Sequence, residues 1–426
     1  MTDHAADTDT HVATLPNGVR VVALRLPHLA SASVSVFVRT GSAHESRVLN
    51  GVNHVVEHMV FKGTEERDGR RINLDAERLG AEVNAHTDKD HTAFHMRGMA
   101  AHAPQFVRML GDIVCHATFP ADEFERERQV LLHEFTEDED DPMSSAFKLF
   151  DKACFGMHPA AQPVIGTRRN IERFTRDVLV EHVRRQYTGA NLVVGAAGAI
   201  DPDAIVREVE AAFGALPRGE PNRVALPAYV GGIKSMRLTG SSQTHVVLGF
   251  PIPALADEDP AGIVAAALLG EGMSSPLMER IREQRGLAYY TACSADVLEV
   301  CGQFVIEAST SPEQLDELLA EVMRLLADQA ASVDPVDLER AHNQIVVRRL
   351  RALERPYRRL EDAALDLFAH ARVRPHAERL ARLAGVTGAQ VCAAFERMLA
   401  AGVSLALAGR VGRGASEKAR AIVAPG

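Results

Sequence analysis

The sequence predicts an α+β fold of two homologous domains, each a mainly antiparallel β-sheet packed with α-helices. Three observations lead there. At 426 residues the chain exceeds one ordinary core and suits two domains of roughly 200 residues each. Segments with two-residue hydrophobic alternation stand in hairpin-like pairs between stretches of helical period. The order of those segments repeats after Leu216–Gly232, where Pro and Gly are frequent and long apolar runs are few. This places an N-terminal domain at 1–218, a linker at 219–232 and a C-terminal domain at 233–426.

"HVATL" and "VRVVAL" read as antiparallel strands around the turn signal Pro16-Asn17-Gly18. "SASVSVFVRTG", Ser31–Gly41, alternates like a half-buried strand. A helix containing His54 follows, then the helix "INLDAERLG", stopped by Gly80. "AEVNAHTDKDHTAFHMRG" reads as a strand pair and "FERERQVLLHEF" as a helix dense in charge pairs. "ANLVVGAAGAI" is an apolar strand before the helix "PDAIVREVEAAFGAL". Past the linker, "SMRL" and "THVVLGFPI" are strands, and the helix "AGIVAAALLG" stands where the His54 helix stood. "SPLMERIREQRG" ends at Gly286 much as "INLDAERLG" ends at Gly80. "LAYYTACSADVLEVCGQFVIEAS" is again a strand pair, and long amphipathic helices close the chain. The pattern is a duplication on the domain scale. Only the first copy carries a polar cluster on the matching helix.

Lys and Arg total 47 against 57 Asp and Glu, a formal charge of −10. That balance disfavours nucleic-acid binding and gives no attraction to anionic membranes. The start, "MTDHAADTDTHVATL", lacks the basic and apolar regions of a secretory signal. No run reaches the length of a membrane span. The cysteines, Cys115, Cys154, Cys293, Cys301 and Cys392, are odd in number and form no CxxC. They read as reduced, mostly core thiols, and the expected location is cytoplasmic.

"GVNHVVEHMVFKGT", Gly51–Thr64, sets His54, Glu57 and His58 in an apolar run. On a helix His54 and His58 share a face, so both imidazoles can reach one cation at about 2 Å. Glu57 then lies on the flank, able to contact a water without taking a coordination position. The order HxxEH occurs among zinc peptidases, although so short a pattern also arises on ordinary helices. Burying two imidazoles and a carboxylate unpartnered costs on the order of several kcal/mol, and a metal is one way to offset it. Two histidines leave a tetrahedral zinc short of a protein ligand. A carboxylate from elsewhere in the chain is expected.

Five segments carry a resemblance: "HVVEHMVFKGT", "LGAEVNAHTDKDHTAF", "FERERQVLLHE", "HPAAQPVIGT" and "GMSSPLMERIREQRGLAYY". Together they resemble the M16 family of metallopeptidases, which includes pitrilysin, insulin-degrading enzyme and the mitochondrial processing peptidase. The length and the lack of large insertions resemble its half-size subgroup. The resemblance implies a LuxS/MPP-like fold forming half of a clamshell, one zinc ion (Zn2+) per chain, and endopeptidase action on unfolded peptides in a closed chamber. It also implies that Glu134 is the third metal ligand, that Glu57 is the general base, and that Glu127, one heptad before Glu134, supports the site. Seven residues make about two helical turns, so the two carboxylates share a face. Without the resemblance, Glu127 would be read as part of an i,i+4 ion-pair network in "EFERERQ". His133 should point away from the Glu134 face.

"EVNAHT", Glu82–Thr87, resembles the family's substrate-holding edge strand, with Asn84 and Ala85 beside the scissile bond. The plain reading is a hairpin strand. His86, His91 and His95 read as strand or loop histidines. Arg282 and Tyr289 match a pair that the family uses near substrate. Tyr289 would donate to the developing oxyanion, and Arg282 would bind a substrate carbonyl or hold Tyr289. The plain reading of "RIREQRGLAY" is a helix end with its glycine stop. "GEGMSS" lacks the GK[ST] ending of a phosphate loop. Because one chain carries both residue sets, the resemblance implies a homodimer in which Arg282 and Tyr289 act on the other chain's site. The rival readings are one subunit of a heterodimeric peptide-maturation protease and a non-catalytic core subunit like those of respiratory complex III. The acidic "EDEDDP" reads as a solvated helix end rather than a site for basic peptides.

Overall fold

The computed structural model describes residues 9–424; the acidic start at Met1–Thr8 lies outside the described residues. The chain forms two compact units, neither contiguous in sequence. The first comprises the described residues to Phe135, Pro163–Val224 and Arg351–His376. The second comprises Thr136–Gln162, Ala225–Leu350 and the described residues from Ala377.

The first unit is built on strands β1 (Thr10–Thr14), β2 (Arg20–Arg25), β3 (Ser31–Val38), β4 (Glu82–Thr87), β5 (Thr92–Met99) and β6 (Leu192–Gly198). Their order across the sheet is β1-β2-β6-β3-β5-β4. Every neighbouring pair is antiparallel except β2 and β6. The second unit has β7 (Gly232–Arg237), β8 (Thr244–Ile252), β9 (Tyr290–Val297), β10 (Gly302–Thr310) and β11 (Ser404–Gly409), in the order β7-β11-β8-β10-β9. That is the order β2-β6-β3-β5-β4 again, with its parallel pair in the same place, β7 beside β11. The duplication seen in the sequence is therefore a duplication of sheet topology.

Five helices of the first half follow in chain order: α1 (Val52–Met59), α2 (Gly69–Arg78), α3 (Ala103–Cys115), α4 (Ala121–Asp140) and α5 (Pro142–Phe155). One face of the first sheet packs on α1 and α3 through Val34, Val36, Val55, Phe106 and Leu110, all essentially inaccessible. The expectation of a half-buried β3 is corrected here. Every residue of β3 but Ser31 is buried. The cause is the helix Pro356–His370, which comes from far along the chain and covers the second face. Small residues make that approach possible. Ser35 pairs with Gly195 of β6, and Leu360 sits so close that a Cβ on Gly195 would lie 2.9 Å from Leu360 Cδ2. The second unit repeats the device. Helix α5 covers its sheet, and a Cβ on Gly249 of β8 would lie 2.8 Å from Phe150 Cζ. Small residues, Ser35 and Gly195 on the first sheet and Gly249 on the second, thus mark a face prepared for a helix rather than for water.

Residues 217–231 carry no helix or strand. The acidic run ends α4, and Asp141 caps α5 by accepting from the Met143 and Ser144 N–H groups. None of the five cysteines forms a disulfide among the described residues. Among the described residues no helix is long and apolar enough to cross a membrane.

Leu360→Ala is expected to lower the stability of the first unit by about 3 kcal/mol, read as a lower urea midpoint. Gly195→Val should also destabilise, by overpacking. A wild-type midpoint for both would show that the helix does not seal this face.

Candidate metal centre

Helix α1 has only two turns, and a helix this short is marginal without tertiary support. Val52, Val55, Val56 and Met59 bury one face. Its first turn is held by a buried carboxylate. Glu45, 2% exposed, accepts from the Gly51 N–H at 2.7 Å and the Asn53 N–H at 2.8 Å. It also accepts from Asn50 Nδ2 and Asn53 Nδ2, each at 3.0 Å. Burial pushes the Glu45 carboxyl up to about 7, and the N–H donors pull against that. Asn53 Oδ1 in turn accepts from His182 Nε2 at 2.8 Å. Burial holds the His182 imidazole down to about 4, so it is neutral here. Gly51 opens the helix at φ +97°, in the left-handed region. A Cβ there would meet Gly166 Cα at 2.8 Å, so two glycine backbones touch where the "HPAAQPVIGT" loop crosses the helix start. Asn50 Nδ2 donates to Pro163 O at 2.9 Å in that loop.

Held this way, α1 presents His54 and His58 toward Glu134 of α4. His54 Nε2 lies 3.4 Å from Glu134 Oε1, and His58 Nε2 lies 3.5 Å from Glu134 Oε2. The three residues offer ligand atoms all within 4.8 Å of one another. Ligands about 2.0–2.2 Å from one tetrahedral ion stand about 3.3–3.6 Å apart. The observed separations fall in that range, and two imidazoles with a carboxylate are a zinc donor set. Burial alone would lower the His54 imidazole, but the hydrogen bond and charge of Glu134 outweigh it and hold it above its usual value. The same bond holds Glu134 below the usual carboxylate range.

Glu127 does not join the surface ion pairs of α4. Arg126 pairs with Asp122 and Glu123, and Arg128 with Glu125. Glu127 is buried, 2.8 Å from His58 Nδ1 and 2.6 Å from Lys62 Nζ. A carboxylate on the outer nitrogen of a histidine fixes its tautomer and ring orientation. His133 is exposed and outside the ligand group. Glu57 is oriented by a residue the sequence reading missed: the Thr87 hydroxyl donates to Glu57 Oε2 at 2.6 Å. Thr87 ends β4, the edge strand that also carries Asn84 and Ala85, and the Ala85 N–H donates to Asn84 Oδ1 at 2.8 Å. Glu45, Lys62 and Thr87 carry no signal in a single sequence, because each acts through a partner distant along the chain or ordinary in type.

In the second unit, Arg282 lies in the π-helical turn Met278–Gln284. Gly286 ends that turn at φ +59°. The Arg282 guanidinium stands 5.4 Å from the Tyr289 ring centroid, and Tyr289 is 83% exposed.

The insulinase profile (peptidase family M16) matches residues 20–168, and the peptidase M16 inactive-domain profile matches residues 173–345. A Mycobacterium tuberculosis protein named an uncharacterized zinc protease is 37% identical over 338 residues, covering 78% of this chain and 76% of that protein. The uncharacterized zinc protease YmxG of Bacillus subtilis is 33% identical over 316 residues, covering 74% and 77%. The crystal structure of a protease from Helicobacter pylori superposes with a TM-score of 0.85 at 20% identity, over 93% of this chain and 98% of that one. A peptidase M16 inactive-domain structure from Pseudomonas fluorescens gives 0.86 at 21% identity, over 95% and 99%. At these identities the two structures carry the fold alone.

Glu45→Gln turns an amide N–H toward the first turn of α1. At about pH 8, above the raised Glu45 value, it is expected to lower stability by about 2–3 kcal/mol, measured by urea unfolding. Unchanged stability would show that the buried carboxylate does not hold this helix.

Proposed function

The chain belongs to the insulinase family of peptidases, M16, and we propose that within it this protein is a zinc-dependent endopeptidase that hydrolyses unfolded peptides. The observation that carries the reading is the convergence of His54, His58 and Glu134 with Glu57 fixed beside them. A zinc ion held by those three residues would supply Lewis-acid activation of water and of the peptide carbonyl. Glu57 accepts the proton of the attacking water and delivers it to the leaving amine nitrogen. Thr87 keeps one Glu57 oxygen occupied, which leaves the other for that transfer. Glu127 holds the His58 ring by Nδ1, which leaves Nε2 turned to Glu134 as the atom that would hold a metal. Substrate pairs with the edge strand β4 at Asn84 and Ala85, where main-chain hydrogen bonds demand little of the sequence. Tyr289 and Arg282 stabilise the carbonyl oxygen, supplied to the site by a second copy of the chain in a homodimer.

The second reading, a non-catalytic member of the fold, takes its support from the inactive-domain profile over residues 173–345. The complete donor set favours catalysis. The rival reading of a heterodimeric maturation protease predicts that purified chain alone is inactive.

Glu57→Gln should keep zinc at the wild-type ratio and lower peptide cleavage by at least about 1,000-fold, checked by metal analysis and mass spectrometry of digests. Cleavage at the wild-type rate would refute the base assignment, and a metal-free wild type would favour the non-catalytic reading. Mixing Glu57→Gln with Tyr289→Phe protein should restore part of the activity, because one of the two sites in a mixed dimer is intact. No recovery in confirmed mixed dimers would refute the sharing of sites.

A further inference from the structure

Successive residues of a strand point to opposite faces of the sheet, and β4 uses both. Thr87 turns to α1 and Glu57. His86 turns to the other face, where it meets His91 in the β4–β5 turn and the helix Pro356–His370. His86 Nε2 lies 3.3 Å from His91 Nε2 and 3.6 Å from Glu361 Oε1. His86, His91 and Glu361 offer ligand atoms all within 4.8 Å of one another. Both separations match the spacing of about 3.3–3.6 Å expected around a tetrahedral ion, as those at the first centre do.

The outer atoms are held as metal-binding histidines usually are. His91, 3% exposed, bonds through Nδ1 to Asp90 Oδ1 at 2.7 Å. Its Nδ1 therefore carries the proton, and the Nε2 lone pair faces His86. His86 Nδ1 lies 3.2 Å from the Tyr357 hydroxyl, and that hydroxyl donates to Glu361 Oε1 at 3.4 Å. With the hydroxyl proton turned to Glu361, His86 Nδ1–H donates to the Tyr357 oxygen. The Nε2 lone pairs of His86 and His91 then face one another at 3.3 Å, an arrangement that calls for a cation. Arg358 bonds Glu361 Oε2 at 2.5 Å, which leaves Oε1 to the cluster. His95 closes the side, with its ring 5.3 Å from that of His86 and its Nδ1 buried without a hydrogen-bond partner.

We propose that His86, His91 and Glu361 bind a second divalent transition metal, distinct from the ion of His54, His58 and Glu134. Two nitrogens and a carboxylate oxygen suit zinc, with one position left to water. The ion ties the back of the edge strand to the helix that covers the sheet. The inference stands on its own ligand set and does not depend on the protein being a peptidase.

The test uses the full chain, stripped with chelator, reloaded with zinc chloride, desalted and assayed for zinc by atomic emission. Wild type should hold two zinc ions per chain. The double variant His54→Ala/His58→Ala should hold one, as should His91→Asn and Glu361→Gln, each checked for folding by circular dichroism. Glu361→Gln keeps the side-chain shape at a position 14% exposed, so it serves if His91→Asn misfolds. Asp90→Asn should weaken the second zinc by about 10- to 100-fold. One zinc in wild type and none in His54→Ala/His58→Ala would overturn the proposal, and would leave only the proton-shared imidazole pair in which His86 Nε2–H donates to His91. Failure of the first centre instead leaves one zinc in wild type, retained in His54→Ala/His58→Ala and lost in Glu361→Gln.

Discussion

The buried Glu45 carboxylate at the start of α1 is the contact on which the site depends. Eight residues of helix make too few internal hydrogen bonds to persist alone, and three of these eight are polar groups turned away from the core. The N-terminal N–H groups would otherwise be buried orphans. A carboxylate there satisfies two of them and meets the positive end of the helix dipole. Asn53, Asn50 and His182 extend that contact into a belt of buried donors and acceptors. Such a belt stabilises only when its members are all paired, which ties the direction of α1 to His182 and Pro163, far along the chain, as well as to its near neighbours. The far end is pinned independently, through Glu127 on His58 and Lys62. His54 and His58 are thus placed by contacts at both ends of the helix, and little is left to the helix's own propensity.

What the sequence made legible was local. The four-residue spacing of His54 and His58, the flank position of Glu57 and the strand alternations all lie within one element each, whereas Glu127 and Glu134 were assigned through the resemblance, since their own segment reads as an ion-pair network. The repeat order was legible too, because topology duplicated with it. What stayed hidden needs two elements at once. Nothing near Glu45 in the chain says that it will bond the N–H groups of Gly51 and Asn53, and Thr87 is one threonine among many. The serines of β3 looked like a solvent face, since small polar residues serve equally well as the floor for a packed helix. The covering helices themselves, Pro142–Phe155 on one sheet and Pro356–His370 on the other, each belong to the unit built mostly from the other half of the sequence. A linear pattern cannot register that exchange, because each helix is amphipathic whichever sheet it covers.

Edge strands are usually the loosest part of a sheet and a liability for unplanned pairing. Strand β4 is an edge strand with consecutive residues committed on opposite faces, Thr87 to Glu57 and His86 to the His91–Glu361 cluster. A slip of one residue would exchange those faces and break both sets of contacts together. The register with β5, Glu82 opposite Arg97 and Thr87 opposite Thr92, is therefore fixed from the side chains as well as from the ladder. For a peptide pairing with β4, that rigidity lowers the ordering entropy lost on binding. Under the proposed function it would also set the peptide's position relative to Glu57, because the strand that would offer the hydrogen bonds carries Thr87, whose hydroxyl donates to Glu57. Substrate register and base position would then share one mechanical reference, the strand whose opposite face carries the His86 contacts to His91, Tyr357 and Glu361.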